Sequence, residues 1–117
     1  MAYIPNRGDI IHLEFDPARG REMKGDHYAL VITRTDFNKS GLAVICPISQ
    51  GAASLARSQG VLVTLLGAGT ATQGAIQCHQ VKSFDWRERK ARFREKVPNY
   101  IVDDVVDRML SFINPED

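Results

Sequence analysis

Only the C-terminal end of this chain carries a helical period, and that restricts its fold more than any other feature. Ile101, Val102, Val105, Val106, Met109, Leu110, Phe112 and Ile113 recur at i, i+3 and i+4, the spacing of one face of an α-helix. Asn99 stands where an N-cap belongs, acids crowd the first two turns, and Asn114-Pro115 stops the helix. Upstream, glycine and proline cut the sequence into short apolar runs, which have the length of strands rather than helices.

The runs predict their own environments. Ile10 to Phe15 alternates, with Ile11, Leu13 and Phe15 on one face and Ile10, His12 and Glu14 on the other, a half-buried strand with His12 at its rim and away from the loop that follows. Tyr28 to Thr33 is nearly continuously apolar, as a strand covered on both faces would be. Leu42 to Cys46 reads the same way and stops at Pro47. Thr35 to Ser40, closed by Gly41, reads as one helical turn. Residues 49–60 read as loop, Val61 to Leu65 as strand, and Gly67-Ala68-Gly69-Thr70 as a turn. Gln73 to Val81 would be a strand placing residues 77 and 79 on one face and Cys78 on the other. Lys82 to Asp85 and Ala91 to Glu95 are short, charged and edge-like. The expected fold class is mainly β with a C-terminal helix: a strongly bent antiparallel sheet or small barrel, in one domain spanning 1–117.

Several classes of function drop out. Cys46 and Cys78 lie in apolar runs and read as small buried residues, and the three histidines show no metal-ligand spacing. No segment has the ~20 apolar residues that span a bilayer, so a cytoplasmic protein without metal or cofactor is expected. The net charge of +1 hides two basic regions: Arg19, Arg21 and Lys24 in the first loop, and seven Lys or Arg against three acids from Lys82 to Lys96. Such clustering suits a polyphosphate partner, although a solvated strand pair would look similar.

Two histidines ask for an explanation. His27 closes the polar, glycine-punctuated loop that begins at Asp16, and His79 lies in Gln77-Cys78-His79-Gln80. Loops of this kind between strands concentrate binding and catalysis, and a pair of imidazoles has the chemistry for both halves of a proton transfer. Ordinary polar histidines would fit the composition equally well.

Taken in order, Arg7-Gly8-Asp9-Ile10, Phe15-Asp16-Pro17, Gly20-Arg21-Glu22, Ala29 to Thr33, Phe37-Asn38, Pro47-Ile48-Ser49, Gly74 and Gln80-Val81-Lys82-Ser83 resemble the MazF/PemK family of toxin endoribonucleases. The resemblance runs from about Arg7 to Ile113. It implies an SH3-like barrel, a homodimer, and metal-free, sequence-selective cleavage of single-stranded RNA or mRNA. It also implies neutralisation by a small MazE/PemI-like antitoxin in a type II toxin–antitoxin module.

The departures fall where the chemistry is expected. The family's Arg-Pro at the end of the first loop is His27-Tyr28 here, its Pro-x-Thr ends in Ser49, and its Arg-x-Asp before Gln is Gln77-Cys78-His79. The resemblance implies catalytic roles at Glu22, His27, Ser49 and His79, and RNA contacts at Arg19, Arg21, Lys24, Gln50, Arg57, Gln73, Gln77 and Lys82. In one arrangement His27 is the general acid and Glu22 or His79 the base. In the other, losing the family arginine has removed efficient cleavage and leaves a module that binds RNA or antitoxin.

Overall fold

The structure is a computed structural model that describes residues 2–50 and 60–115. Seven strands and a terminal helix make it up: β1 (Asp9–Glu14), β2 (Asp26–Val31), β3 (Leu42–Ser49), β4 (Leu62–Thr64), β5 (Ala75–Gln77), β6 (Lys82–Asp85), β7 (Arg92–Lys96), with a single turn α1 (Thr35–Asn38) and the helix α2 (Asn99–Ile113). The order across the antiparallel sheet is β4-β5-β3-β2-β1-β7, with β6 also on β3.

β3 gives the sheet its bend. Along one edge it pairs with β2; along the other it pairs first with β6 (Leu42 to Ile45) and then with β5 (Ile48 and Ser49). One strand thereby belongs to two diverging sections, and the small barrel-like shape follows. Pro47 does not end this strand as the sequence suggested. It pairs with Ala29 and lies where the second partner changes from β6 to β5, a position where a missing N–H donor leaves no ladder bond unmade.

Because strand residues alternate in direction, the sheet separates two cores. Ile10, Leu30, Cys46, Ile48, Val63, Ile76 and Cys78 pack beneath Ile101, Val102 and Val105 of α2. Ile11, Leu13, Phe15, Ala29, Val31, Ile45, Phe84 and Trp86 form the other. β1 is therefore buried on both faces at Ile10 and Ile11 rather than half-buried throughout.

Other boundaries moved by identifiable causes. β5 is short, and Cys78–Gln80 turns into a 3₁₀ helix, so residues 77 and 79 do not share a strand face. Apolar Cys78 imitates the strand pattern because it still faces the α2 core. Helix α2 begins with Asn99 itself after Pro98, without a side-chain cap or an acid in its first turn; Pro98 holds an extended angle suited to a helix start. Its apolar stripe is only half used. Val105 is buried, but Leu110, Phe112 and Ile113 stay exposed. Among the described residues no helix is long and apolar enough to cross a membrane.

Candidate active site

The site grows from residues that antiparallel pairing puts on one face. Leu13 lies opposite His27, and Ile45 lies opposite both Val31 and Lys82; opposed residues share a face. The His27 imidazole meets the Phe15 ring edge-on at 5.8 Å between centroids, and Phe15 meets Phe84 at 5.2 Å. The Lys82 ammonium lies 5.8 Å from the Phe84 centroid and 2.8 Å from a Glu22 carboxylate oxygen. An aromatic floor of Phe15 and Phe84 thus carries His27 on one flank and the Lys82–Glu22 pair on the other. Ser49, at the end of β3, shares the face of Ile45 by alternation and faces Ala75 across the β3–β5 ladder.

The first loop is tied down rather than adrift. Gln80 Oε1 accepts from the Met23 amide at 2.9 Å, while Gln80 Nε2 donates to Gln77 Oε1 at 3.1 Å. Glu22 accepts from the Arg19 amide at 2.7 Å, and Gly25 N–H donates to Asp16 at 3.1 Å. Arg89 reaches the Glu14 and Asp16 carbonyls, both at 3.0 Å, with its guanidinium 3.8 Å from the Phe84 centroid. Gln80 and Arg89 are site-building residues that sequence reasoning missed. Gln80 stood inside a quoted motif, but its partner lies 57 residues away.

Electrostatics separates the candidate proton acceptors. The Lys82 ammonium, and then the Arg19 amide, hold the Glu22 carboxyl below its ordinary pKa. Glu22 is a firmly ionised carboxylate and a weak base. His79 is exposed on the 3₁₀ turn, and partial desolvation lowers its pKa, favouring the neutral imidazole that accepts a proton.

The remaining expected residues are spread around this centre. Arg19, Arg21 and Lys24 are exposed on the first loop. Gln77 is buried, its amide oxygen already accepting from Gln80. Gln73 is exposed, donates to the Thr70 carbonyl at 3.1 Å, and lines a cleft of about 710 Å³ with Ser49, Gln50, Tyr100 and Arg108. Arg57 lies outside the described residues. A second cleft, of about 410 Å³, is lined by His12, Asp26, His27, Tyr28, Ile48, Ser49 and Gln50. His12 is therefore not remote from the end of the loop: β1–β2 pairing sets it opposite Tyr28, with ring centroids 5.2 Å apart. Its adjacency to His27 depends on the hairpin register, which the sequence pattern alone did not reveal.

A bent antiparallel sheet packed under one terminal helix makes a small barrel-like protein that gathers a carboxylate, an ammonium and an imidazole over an aromatic floor beside exposed Arg19, Arg21 and Lys24. Comparison with known proteins makes the class specific. A sequence profile for the PemK-like, MazF-like toxin of type II toxin-antitoxin systems matches residues 6–113. The Escherichia coli endoribonuclease PemK is 32% identical over 108 residues, 92% of this chain and 80% of its own. The endoribonuclease toxin ChpB of Escherichia coli is also 32% identical, over 92% of both chains. MazF from Deinococcus radiodurans superimposes with a TM-score of 0.87 at 28% identity, over 97% of this chain and 100% of that one. A MazE–MazF complex from the same organism gives 0.82 at 28% identity, covering 98% and 100%. The chain belongs to the PemK/MazF toxin family.

Proposed function

We propose that this chain is a toxin endoribonuclease that cuts single-stranded RNA in the cytoplasm by attack of the ribose 2′-OH on the adjacent phosphate, without a metal, and selects its sites by base contacts. The observation that carries the reading is the Glu22–Lys82 pair and His27 sharing one aromatic floor, in a chain that matches the family almost end to end. His27 donates the proton to the departing 5′-oxygen. His79, its pKa lowered by partial desolvation, takes the 2′-OH proton. Lys82 and the Ser49 hydroxyl stabilise the charge on the phosphoryl oxygens, and Glu22 holds the Lys82 ammonium in place. Arg19, Arg21 and Lys24 supply longer-range attraction for the strand.

The partners follow from the same reading. A MazE/PemI-like antitoxin blocks the RNA surface, and a second copy covers the exposed Leu110, Phe112 and Ile113 end of α2 in a homodimer. Incubation with single-stranded RNA in EDTA tests the chemistry: 2′-OH attack leaves a 2′,3′-cyclic phosphate and a 5′-hydroxyl. Cleavage that needs added metal, or that leaves 5′-phosphate ends, overturns the mechanism. RNA binding without cleavage would assign the chain to the binding-module alternative, in which His27 has not replaced the family arginine.

A further inference from the structure

The face of the sheet opposite the aromatic floor carries a second basic and aromatic constellation. Its residues come from three adjacent strands: Arg92 and Arg94 of β7, His12 of β1 and Tyr28 of β2. The Arg94 guanidinium lies 4.8 Å from the centroid of the Tyr28 ring, and the His12 ring meets Tyr28 edge-on. An Arg92 terminal nitrogen approaches His12 Nδ1 at 3.5 Å.

Arg94 is aimed from behind. Its Nε donates to the Thr72 hydroxyl at 2.8 Å, and that hydroxyl donates to Glu95 at 2.7 Å. Glu95 also accepts from the Ala71 and Thr72 amides at 3.0 and 2.7 Å, so the loop and β7 fix one another. Among the described residues, the two terminal nitrogens of Arg94 have no hydrogen-bond partner. A guanidinium stacked on a ring, anchored through Nε, with both terminal nitrogens open, is pre-organised for a bidentate phosphate contact.

Tyr28 joins this constellation to the 410 Å³ cleft, which it lines with His12, Asp26 and Gln50 and with His27 and Ser49 of the candidate active site. Ser49, the last residue of β3, and Gln50 just beyond it both line this cleft, so the cleft connects the end of β3 to the Tyr28 face. An RNA strand leaving the scissile phosphate around the sheet end meets the second face next.

We propose that Tyr28, His12 and Arg94 form a subsite for a nucleotide flanking the cut, with Arg94 binding its phosphate and Gln50 and Asp26 meeting its base in the cleft. This rests on the endoribonuclease reading. It also gives a role to the tyrosine that stands where the family has proline, since the ring seats the phosphate-binding arginine.

The test uses Arg94→Gln and Arg94→Lys, with Arg34→Gln as control because Arg34 pairs with Asp36 at the start of α1. Cleavage kinetics are measured on a long single-stranded RNA and on the same RNA trimmed to the nucleotides at the cut. Binding is measured on the long sequence with 2′-fluoro riboses, which lack the nucleophile. Loss of a bidentate, charge-assisted contact should weaken long-RNA binding and raise KM by about ten- to a hundred-fold, with kcat little changed. The long substrate should lose its advantage over the short one, and the slope of log affinity against log salt should fall by about 0.7. Arg94→Lys should recover part of the binding and Arg34→Gln should match wild type. A structural role would lower the melting temperature and reduce cleavage of both substrates equally. That result, or wild-type behaviour of Arg94→Gln, overturns the subsite while leaving the endoribonuclease intact. A wild-type protein that neither cuts nor binds RNA overturns both.

Discussion

Gly74 joins the fold to the chemistry, and replacing it with alanine is the sharpest single perturbation. It precedes β5 with φ +121°, and an added Cβ would stand 2.5 Å from the Ser49 carbonyl oxygen, 3.1 Å from its carbon and 3.3 Å from the Gln50 Cα. The obstacle is backbone, so no rotamer change relieves it. A non-glycine residue held in that backbone region costs ~1–3 kcal/mol, and overpacking adds ~1–3 kcal/mol. The expected destabilisation is ~2–6 kcal/mol, or a fall in melting temperature of roughly 10–25 °C for a domain of this size. Relief must come from moving β5 away from the end of β3, which displaces Ser49 from the phosphate. A misplacement approaching an ångström costs about a hundredfold in rate. Thermal melts and urea titrations give the first quantity. RNA cleavage well below the melting point gives the second. A variant melting within about 2 °C of wild type and cutting RNA within about twofold of it would refute the claim that this contact positions Ser49.

The other predictions concern protons and charge. His27→Ala should lower cleavage ~10²–10⁴-fold, and by much more than His12→Ala, which single-turnover kinetics on both variants will compare. NMR titration should place Glu22 below the ordinary carboxylate range, and Lys82→Met should return it toward that range. Because the folded pKa is the lower one, the Glu22–Lys82 attraction is present above the unfolded carboxyl pKa and lost as pH falls through the folded one. His79 should titrate below the ~6.5 of a free imidazole. The folded state disfavours its protonation, so its contribution turns destabilising as pH falls below that value, and cleavage should lose a base on the same side.

The strands were readable because burial and alternation are local properties of the sequence. Ala29 to Val31 and Ala43, Ile45 and Cys46 are apolar since both faces of the sheet are covered there. What stayed hidden depends on register or on mimicry. Pro47 reads as a stop unless one knows that β3 changes partners beside it. Cys78 continues an apolar pattern into a 3₁₀ turn. Within the candidate site, the sequence named Glu22, His27, Ser49 and Lys82 one by one, whereas the Phe15–Phe84 floor beside His27 and Lys82 was not legible. Phe15 read as one apolar face of a strand and Phe84 lay in a run read as charged and edge-like, and their contact follows from three strand pairings. The Tyr28–Arg94 stack likewise joins β2 and β7 across β1.

The two buried thiols turn the molecule into its own clock. Cys46 lies in β3 with its sulfur 4.0 Å from the Met109 sulfur of α2, and Cys78 opens the 3₁₀ turn whose Gln80 grips the first loop. Burial pushes the Cys46 thiol far up and the Cys78 thiol to about 11, so neither presents the reactive thiolate while closed. Labelling reagent therefore counts openings. Both thiols face the α2 core, so the rates at Cys46 and Cys78 time the lifting of α2 from β3 and from the 3₁₀ turn respectively. Two buried cysteines thus make it measurable, without any added probe, whether α2 lifts from the sheet alone or only when the whole domain opens.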